Sequence, residues 1–279
     1  KKLVHTIVYA DVKKGKQMQD PYWELMASSL LMGIIGYMFE NDKIPENEMV
    51  VAVHPIKYLL DDNSTNKEEP IGMKGYNVSL DAFVVTLPTG IARGYVDALQ
   101  DMGIEVIDAV IAPLANASLL LRNQEFKTGA VIIDIGGKYT NVSLFYDGLF
   151  CANRSGQLGG DFITTEISKQ FDLDKRTSEH IKTVYGSALV SNSSSVPVFT
   201  HPDTNKSILE KELVNSIESS LDKEIKEIIK YIDYINVKGS DIPVIISGGT
   251  ANLEGIDEKI EKSINQKCFV RTFNRVGGR

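Results

Sequence analysis

Twice in the second half of the chain a run of aliphatic residues ends in a pair of glycines: Val131-Ile132-Ile133-Asp134-Ile135-Gly136-Gly137, and Ile245-Ile246-Ser247-Gly248-Gly249-Thr250. Consecutive β-branched residues predict strands covered on both faces. Glycines directly after them let the backbone turn tightly and leave the main chain bare. Backbone N–H groups in such a turn can point at phosphate oxygens. A carboxylate beside them, here Asp134, can hold hydrated Mg²⁺ or orient a water toward a γ-phosphate. The second pair stands at a strand end ahead of a helix, where a ligand can lie against backbone and a helix N terminus. A third pair, in Leu158-Gly159-Gly160-Asp161, also leads into a helix, with Asp161 as a possible N-cap. Each motif alone equally suits an ordinary hairpin or a glycine-rich connection.

The rest of the chain reads as alternating strands and helices. MVVAVHPIKYLL, ending at Leu60, predicts a strand, and Tyr76 to Leu87 predicts its partner across the polar loop 61–70. Pro88 to Met102 predicts a helix with Ile91, Tyr95, Val96 and Leu99 on one face and Gly103 as its stop. A strand over 105–113 and a helix begun by Pro113 follow. After the first glycine pair, NVSLFYDG and LFCANRS flank an Asp-Gly turn, a hairpin signal. The Ser-, Asn- and Pro-rich segment 190–207 predicts a loop. Residues 208–235 predict a long amphipathic helix, because Leu209, Leu213, Ile217, Leu221, Ile225, Ile228, Ile232 and Ile235 recur at steps of three or four. Pro243 to Ile246, IDEKIEKSI and KCFVRTF predict a strand, a helix and a strand. The class is α/β, with a sheet in each lobe.

A length of 279 residues favours two lobes. A net charge of −7 argues against nucleic acid, which demands clustered Lys and Arg. Cys151 and Cys268, like His5, His54, His180 and His201, are scattered, so neither a zinc site nor a Cys/His nucleophile is supported. Two free thiols suit a cytoplasmic chain. The most apolar stretch, Leu25 to Phe39, is short of the ~20 residues a spanning helix needs and predicts a buried or amphipathic helix. No signal peptide is visible.

The order of these motifs carries more than any one of them. A strand with DIGG and a hairpin, then Gly159-Gly160 and a helix, then Ile181-Lys182-Thr183-Val184-Tyr185-Gly186, then a strand with SGGT, resembles the second lobe of the actin, Hsp70 and sugar-kinase superfamily. Four further segments resemble the FtsA family of cell-division proteins: Pro70-Ile71-Gly72-Met73-Lys74-Gly75, the segment Ile111 to Ala117 (IAPLANA), LGGDFITTEIS and IKTVYGSA. The resemblance spans residues 50 to 275.

It implies an actin-like ATPase fold, two-lobed, with ribonuclease-H-like sheets flanked by helices. Residues 1–87 would hold part of the first lobe and the family's own subdomain, 88–128 the remainder and the lobe-joining helix. Residues 129–279 would form the second lobe, its inner sheet from 129–164 and 240–279 and its outer subdomain from 165–239. ATP with Mg²⁺ would bind between lobes and be turned over slowly at most. Asp134 would position Mg²⁺ through water. Gly136 and Gly137 would serve the phosphates and Gly248, Gly249 and Lys182 the adenosine, with Lys138, Thr140, Gly159, Gly160 and Thr250 also at the cofactor site. The resemblance also implies self-association into filaments and capture of the FtsZ C-terminal tail by the outer subdomain, with Lys223 and Lys226 as contacts. The expected location is the cytoplasmic face of the membrane at the division septum. Membrane attachment would run through a C-terminal helix.

The sequence departs from the family pattern in four places: Lys138 and Tyr139 replace small residues, Asn141 stands for an Asp, and Val184 for a Glu. No D-x-G-[ST] first phosphate loop and no C-terminal amphipathic helix are found in these residues, so the sequence reads as a fragment or as a chain missing those parts. Three alternatives stay open: a scaffold of the same fold like the pilus protein PilM, a phosphotransferase such as a sugar kinase, and an interaction module that binds no nucleotide.

Overall fold

The computed structural model describes residues 2–10, 47–60, 63–65, 78–106, 110–202, 205–235 and 241–272. The expected helix at 25–39, the Gly72–Gly75 element and the middle of the expected strand at 105–113 lie outside them. The chain forms two compact units, Lys1–Ile111 and Ala112–Arg279. Their boundary falls inside the 88–128 segment that the sequence assigns to the end of the first lobe.

The first unit is an antiparallel sheet of order β1-β4-β2-β3, built from β1 (Lys2–Ala10), β2 (Glu48–Leu60), β3 (Asn63–Thr65) and β4 (Val78–Pro88). The expected pairing of the two long strands is found, with bulges at Val50/Ala52 and Pro55/Lys57. Residues 2–10 add an edge strand that the sequence left unread. Helix α1 (Thr89–Asp101) follows β4. It buries Ala92 and half-buries Val96 and Leu99, whereas Ile91 is 53 % and Tyr95 70 % exposed. The inward stripe is therefore displaced from the expected Ile91–Tyr95 line to Ala92, Val96 and Leu99, the i, i+4, i+7 set one residue along.

The second unit carries helices α2 (Ala112–Leu120) and α3 (Asn123–Thr128) ahead of a mixed sheet of order β11-β10-β5-β6-β7. Its strands are β5 (Ala130–Ile135), β6 (Thr140–Tyr146), β7 (Leu149–Gly156), β10 (Val244–Ser247) and β11 (Cys268–Val270). β10 runs parallel to both β5 and β11, and β5, β6 and β7 run antiparallel in turn. Between β7 and β10 come α4 (Gly160–Phe171), α5 (Lys175–Tyr185) and the long α6 (Glu210–Ile235), and α7 (Ile256–Ile264) lies between β10 and β11. The segment expected to be loop differs: it holds a 3₁₀ turn (Val190–Asn192) and a small hairpin, β8 (Pro197–Thr200) with β9 (Ser207–Leu209). The short apolar pieces PVFT and SIL pair there despite the polar residues around them, because Ile208 buries itself in the core.

The strand alternation divides the sheet into two environments. Val131, Ile133 and Ile135 of β5 and Val244 and Ile246 of β10 pack with Ile163 and Ile167 of α4, Leu213 to Ile235 of α6 and Ile256 and Ile260 of α7. Residues opposite one another in register share a face. Asp134, its partner Asn141 on β6 and its partner Ser247 on β10 therefore look the other way, toward α2.

Candidate functional site

All three glycine pairs meet at one end of this sheet. Gly159 sits where an added Cβ would lie 2.5 Å from the Gly136 carbonyl oxygen and 2.6 Å from that of Gly137. A Cβ on Gly160 would lie 2.8 Å from Thr250 Oγ1 and 3.3 Å from Lys182 Nζ. At Gly248, with φ +96°, it would lie 2.3 Å from the Ile135 carbonyl oxygen and 2.7 Å from Asp134 Oδ1. These glycines are required because three backbone segments touch. Gly249 differs: nothing stands within 4 Å of its Cβ position. It opens the 3₁₀ turn Gly249–Asn252 with its bare backbone facing free space.

The turn between β5 and β6 closes through a hydrogen bond from Gly136 N–H to the Tyr139 carbonyl, and its tip, Gly137 to Tyr139, is exposed. The turn is sewn to α4. Gly160 N–H donates to the Gly136 carbonyl at 2.9 Å, and Asp161 N–H to that of Gly137 at 2.8 Å. The first amides of α4 are thus satisfied by the turn itself, and Gly159 is the N-cap in place of the expected Asp161. Lys138, Tyr139, Gln157, Gly159, Asp161 and Phe162 line an open cleft beside the tip.

Asp134, the last residue but one of β5, is half-buried, and Asn116 of α2 donates to its Oδ2 at 3.0 Å. Burial raises the Asp134 carboxyl above its ordinary range, and the amides of Asn116 and Asn141 oppose that shift. Beside it, Ser247 Oγ is buried with no partner among the described residues.

Lys182 is 7 % exposed. Its Nζ donates to the Gly160 carbonyl at 3.0 Å, to Thr164 Oγ1 at 2.8 Å and to Glu179 at 2.6 Å. An ammonium has three protons, so all are committed within the protein. Burial acts to raise the Glu179 carboxyl, but the bonds from Lys182 and Thr164 outweigh it and hold the group below its ordinary value. Glu179 is 48 % exposed at its side chain, and so is the member of this pair that faces outward. Thr140 is buried on the other sheet face, with Oγ1 2.7 Å from Glu224 Oε1 and 2.8 Å from the Leu158 carbonyl oxygen. Lys223 pairs with Glu166 at 3.1 Å and stands over the ring of Phe162, and Lys226 is exposed.

The structure therefore gathers Asp134, Gly136, Gly137, Gly159, Gly160, Lys182, Gly248 and Thr250. It leaves Gly249 open and Lys138 at the exposed tip. Sequence reading missed Asn116, Thr164, Glu179 and Glu224. Two of these had a signal: Glu179 precedes Lys182 by one helical turn, and Glu224 interrupts an apolar stripe.

Among the described residues no group of three or more His, Cys, Asp and Glu could hold a metal ion directly, and no helix is long and apolar enough to cross a membrane. The structure resembles a chain of the PilM–PilN type IV pilus biogenesis complex, with a TM-score of 0.65 at 15 % identity over 97 % of this chain and 68 % of that one. It also resembles MreB5 of Spiroplasma citri bound to ADP, with a TM-score of 0.55 at 18 % identity over 66 % of this chain and 61 % of that one. These likenesses show the actin-like fold. In sequence, the cell division protein FtsA of Staphylococcus epidermidis is 25 % identical over 279 residues, 99 % of this chain and 59 % of the relative. That of Bacillus subtilis is 25 % identical over 242 residues, 85 % of this chain and 54 % of the relative. The chain thus spans a little over half the length of the curated relatives it matches. The family model described as "Cell division protein FtsA" matches residues 131–276, the part of the second unit that holds all three glycine pairs, and the chain belongs to that family.

Proposed function

We infer that the second unit binds ATP and that the protein works in cell division as a nucleotide-dependent scaffold. The observation that carries this is the convergence of three glycine pairs, far apart in sequence, on the ends of β5 and β10 and the start of α4. Bare backbone at strand ends is where α/β folds receive ligands. The exposed turn at Gly137 and Lys138 is the place for phosphates. Gly249, with free space before it and Thr250 beside it, is the place for adenosine. Lys182 serves that site from behind, by fixing Gly160 and Glu179. Asp134 would hold Mg²⁺ through water, and the cation would draw its carboxyl back to the charged form. Mg²⁺ would supply charge neutralisation at the phosphates.

The family supports the wider role: self-association into filaments, capture of the FtsZ tail by the outer subdomain and work at the cytoplasmic face of the septal membrane. In this reading nucleotide is an assembly switch more than a fuel.

The test is calorimetric titration of ATP into the protein and into Gly249→Val. The open space at Gly249 means the variant should fold normally and bind ATP at least tenfold more weakly, since a β-branched side chain blocks the approach to the backbone (about 1.4 kcal/mol or more). Unchanged affinity would remove Gly249 from the site. No binding by the unaltered protein would favour an actin-like module that works without nucleotide.

A further inference from the structure

Helix α6 buries one carboxylic acid in its apolar side. Ile217, Leu221, Ile228 and Ile232 are buried along one side, and Glu224 stands among them at 1 % exposure. An ionised carboxylate there is costly unless cations or several donors surround it. Few do. From α5, Lys182 is the charge that reaches it, and that ammonium is spent on Gly160, Thr164 and Glu179. From α4, Glu166 is paired with Lys169 and Lys223. From α7, Lys259 is paired with Glu218 and Asp222, and from β7, Arg154 lies over Tyr234. β6 presents the hydroxyl of Thr140.

Proton counting bears on the state of this acid. Thr140 Oγ1 is within hydrogen-bond distance of both Glu224 Oε1 and the Leu158 carbonyl oxygen. The hydroxyl has one proton, and the carbonyl can only accept. Both contacts are full hydrogen bonds only when the carboxyl brings a proton of its own. Glu224 Oε2, buried without a partner among the described residues, is then a carbonyl oxygen and not half of a buried charge. Burial also pushes this carboxyl above its ordinary range, against the Thr140 bond and the field of Lys182.

We propose that Glu224 is a positioning residue for the nucleotide loops and acts as a neutral acid: it donates to Thr140 Oγ1, and Thr140 donates to the Leu158 carbonyl. Thr140 leaves the Gly136–Tyr139 turn, and Leu158 enters the Gly159–Gly160 pair, so one proton chain ties both limbs to α6. Ionising Glu224 leaves two acceptors competing for one hydroxyl proton, and the Leu158 limb loosens. Because the folded-state pKa is raised, the tie is complete below the ordinary carboxylate range and is lost as pH rises through the raised value. The coupling to nucleotide rests on the ATP reading above; the protonation and the tie do not.

The experiment has three arms. The infrared difference spectrum of the protein minus Glu224→Gln, followed as pH rises, should keep the carbonyl band of a protonated carboxyl above the ordinary carboxylate range; carboxylate bands already replacing it within that range overturn the proposal. Amide exchange over residues 136–160 should be faster in Glu224→Ala than in Glu224→Gln, whose amide can donate to Thr140 in the same way; equal exchange overturns the tie. Fluorescently labelled ATP should bind Glu224→Ala about tenfold more weakly, the loss expected from one buried hydrogen bond. Binding to the unaltered protein should weaken with rising pH, while Glu224→Gln stays flat. A flat profile in both overturns the coupling. Absence of ATP binding in every variant, with the first two arms positive, sinks the nucleotide reading and leaves Glu224 as a structural acid.

Discussion

Gly248 and Gly249 are neighbours with opposite demands, and replacing each by alanine separates packing from ligand access. At Gly248 two costs add. Its φ of +96° and ψ of 176° lie in a region essentially restricted to glycine, which costs a residue with a Cβ about 1–3 kcal/mol. The new Cβ would also stand 2.3 Å from the Ile135 carbonyl oxygen, 2.6 Å from its carbon and 2.7 Å from Asp134 Oδ1. Two of these atoms are backbone, and β5 is hydrogen-bonded between β10 and β6, so the strand cannot step aside alone. Overpacking of that kind costs about 1–3 kcal/mol. Gly248→Ala should therefore lose roughly 4 kcal/mol, or about 10 °C in Tm at 2–4 °C per kcal/mol. Gly249→Ala meets nothing and should change stability by at most about 1 kcal/mol in either direction. Thermal and urea denaturation of the two variants side by side is the assay. If Gly248→Ala melts within about 3 °C of the unaltered protein, less than 1.5 kcal/mol, the close approach of β10 to the end of β5 is wrong and the site geometry falls with it.

Two further expectations concern other surfaces. Arg271 donates to both Glu125 oxygens at 2.6 Å and to the Leu120 carbonyl at 2.7 Å, so Arg271→Ala should cost about 1–2 kcal/mol in urea denaturation at neutral pH. The bond from Arg271 holds the Glu125 carboxyl below its ordinary range, so the gap between variant and parent should be full above that range and shrink as pH falls through the lowered value; a gap that grows in acid would refute the pairing. A labelled FtsZ tail peptide should bind the protein in fluorescence anisotropy, less tightly as salt rises. Lys223→Glu with Lys226→Glu should weaken that binding, Lys223→Glu also facing Glu166 at like charge; unchanged affinity would move the docking surface elsewhere.

The sheet of the second unit was legible because its strands are β-branched runs closed by glycines, a pattern that few other structures tolerate. Helix α6 was legible from its Leu and Ile spacing, and α7 to the residue. What escaped is what the sequence encodes only through tertiary contact. Residues 2–10 read as a lone apolar run because their partner, β4, is distant in sequence, pairing Lys2 with Thr86 and Ala10 with Val78. β8 and β9 are too short to show alternation. The face of α1 was misjudged by one residue, since Ile91 and Tyr95 are as apolar as the residues that are buried and only packing chooses between them. In the site, the glycines could be found from sequence, but the partners of the charged groups could not. Lys182 looked like a ligand contact, and its commitment to Gly160, Thr164 and Glu179 depends on α4 and α5 meeting.

The departures from the family pattern follow a physical division. Lys138 and Tyr139 stand at the exposed tip of the turn, where side-chain size is unconstrained by packing. Asn141 is different, because it sits directly opposite Asp134 across β5 and β6, the position where side chains of neighbouring strands meet. With Asp in both places, two carboxylates would face each other, and one would have to take a proton or the pair a cation. An amide removes that conflict and bonds Asp134 from one side while Asn116 bonds it from the other. The carboxylate is then held in place by neutral donors on α2 and β6. Its position is set by groups of the protein itself. Asn141 thus lets the protein orient Asp134, and the two strands on either side of the turn are fastened from opposite faces of the sheet, by Asn116 at Asp134 and by Glu224 at Thr140.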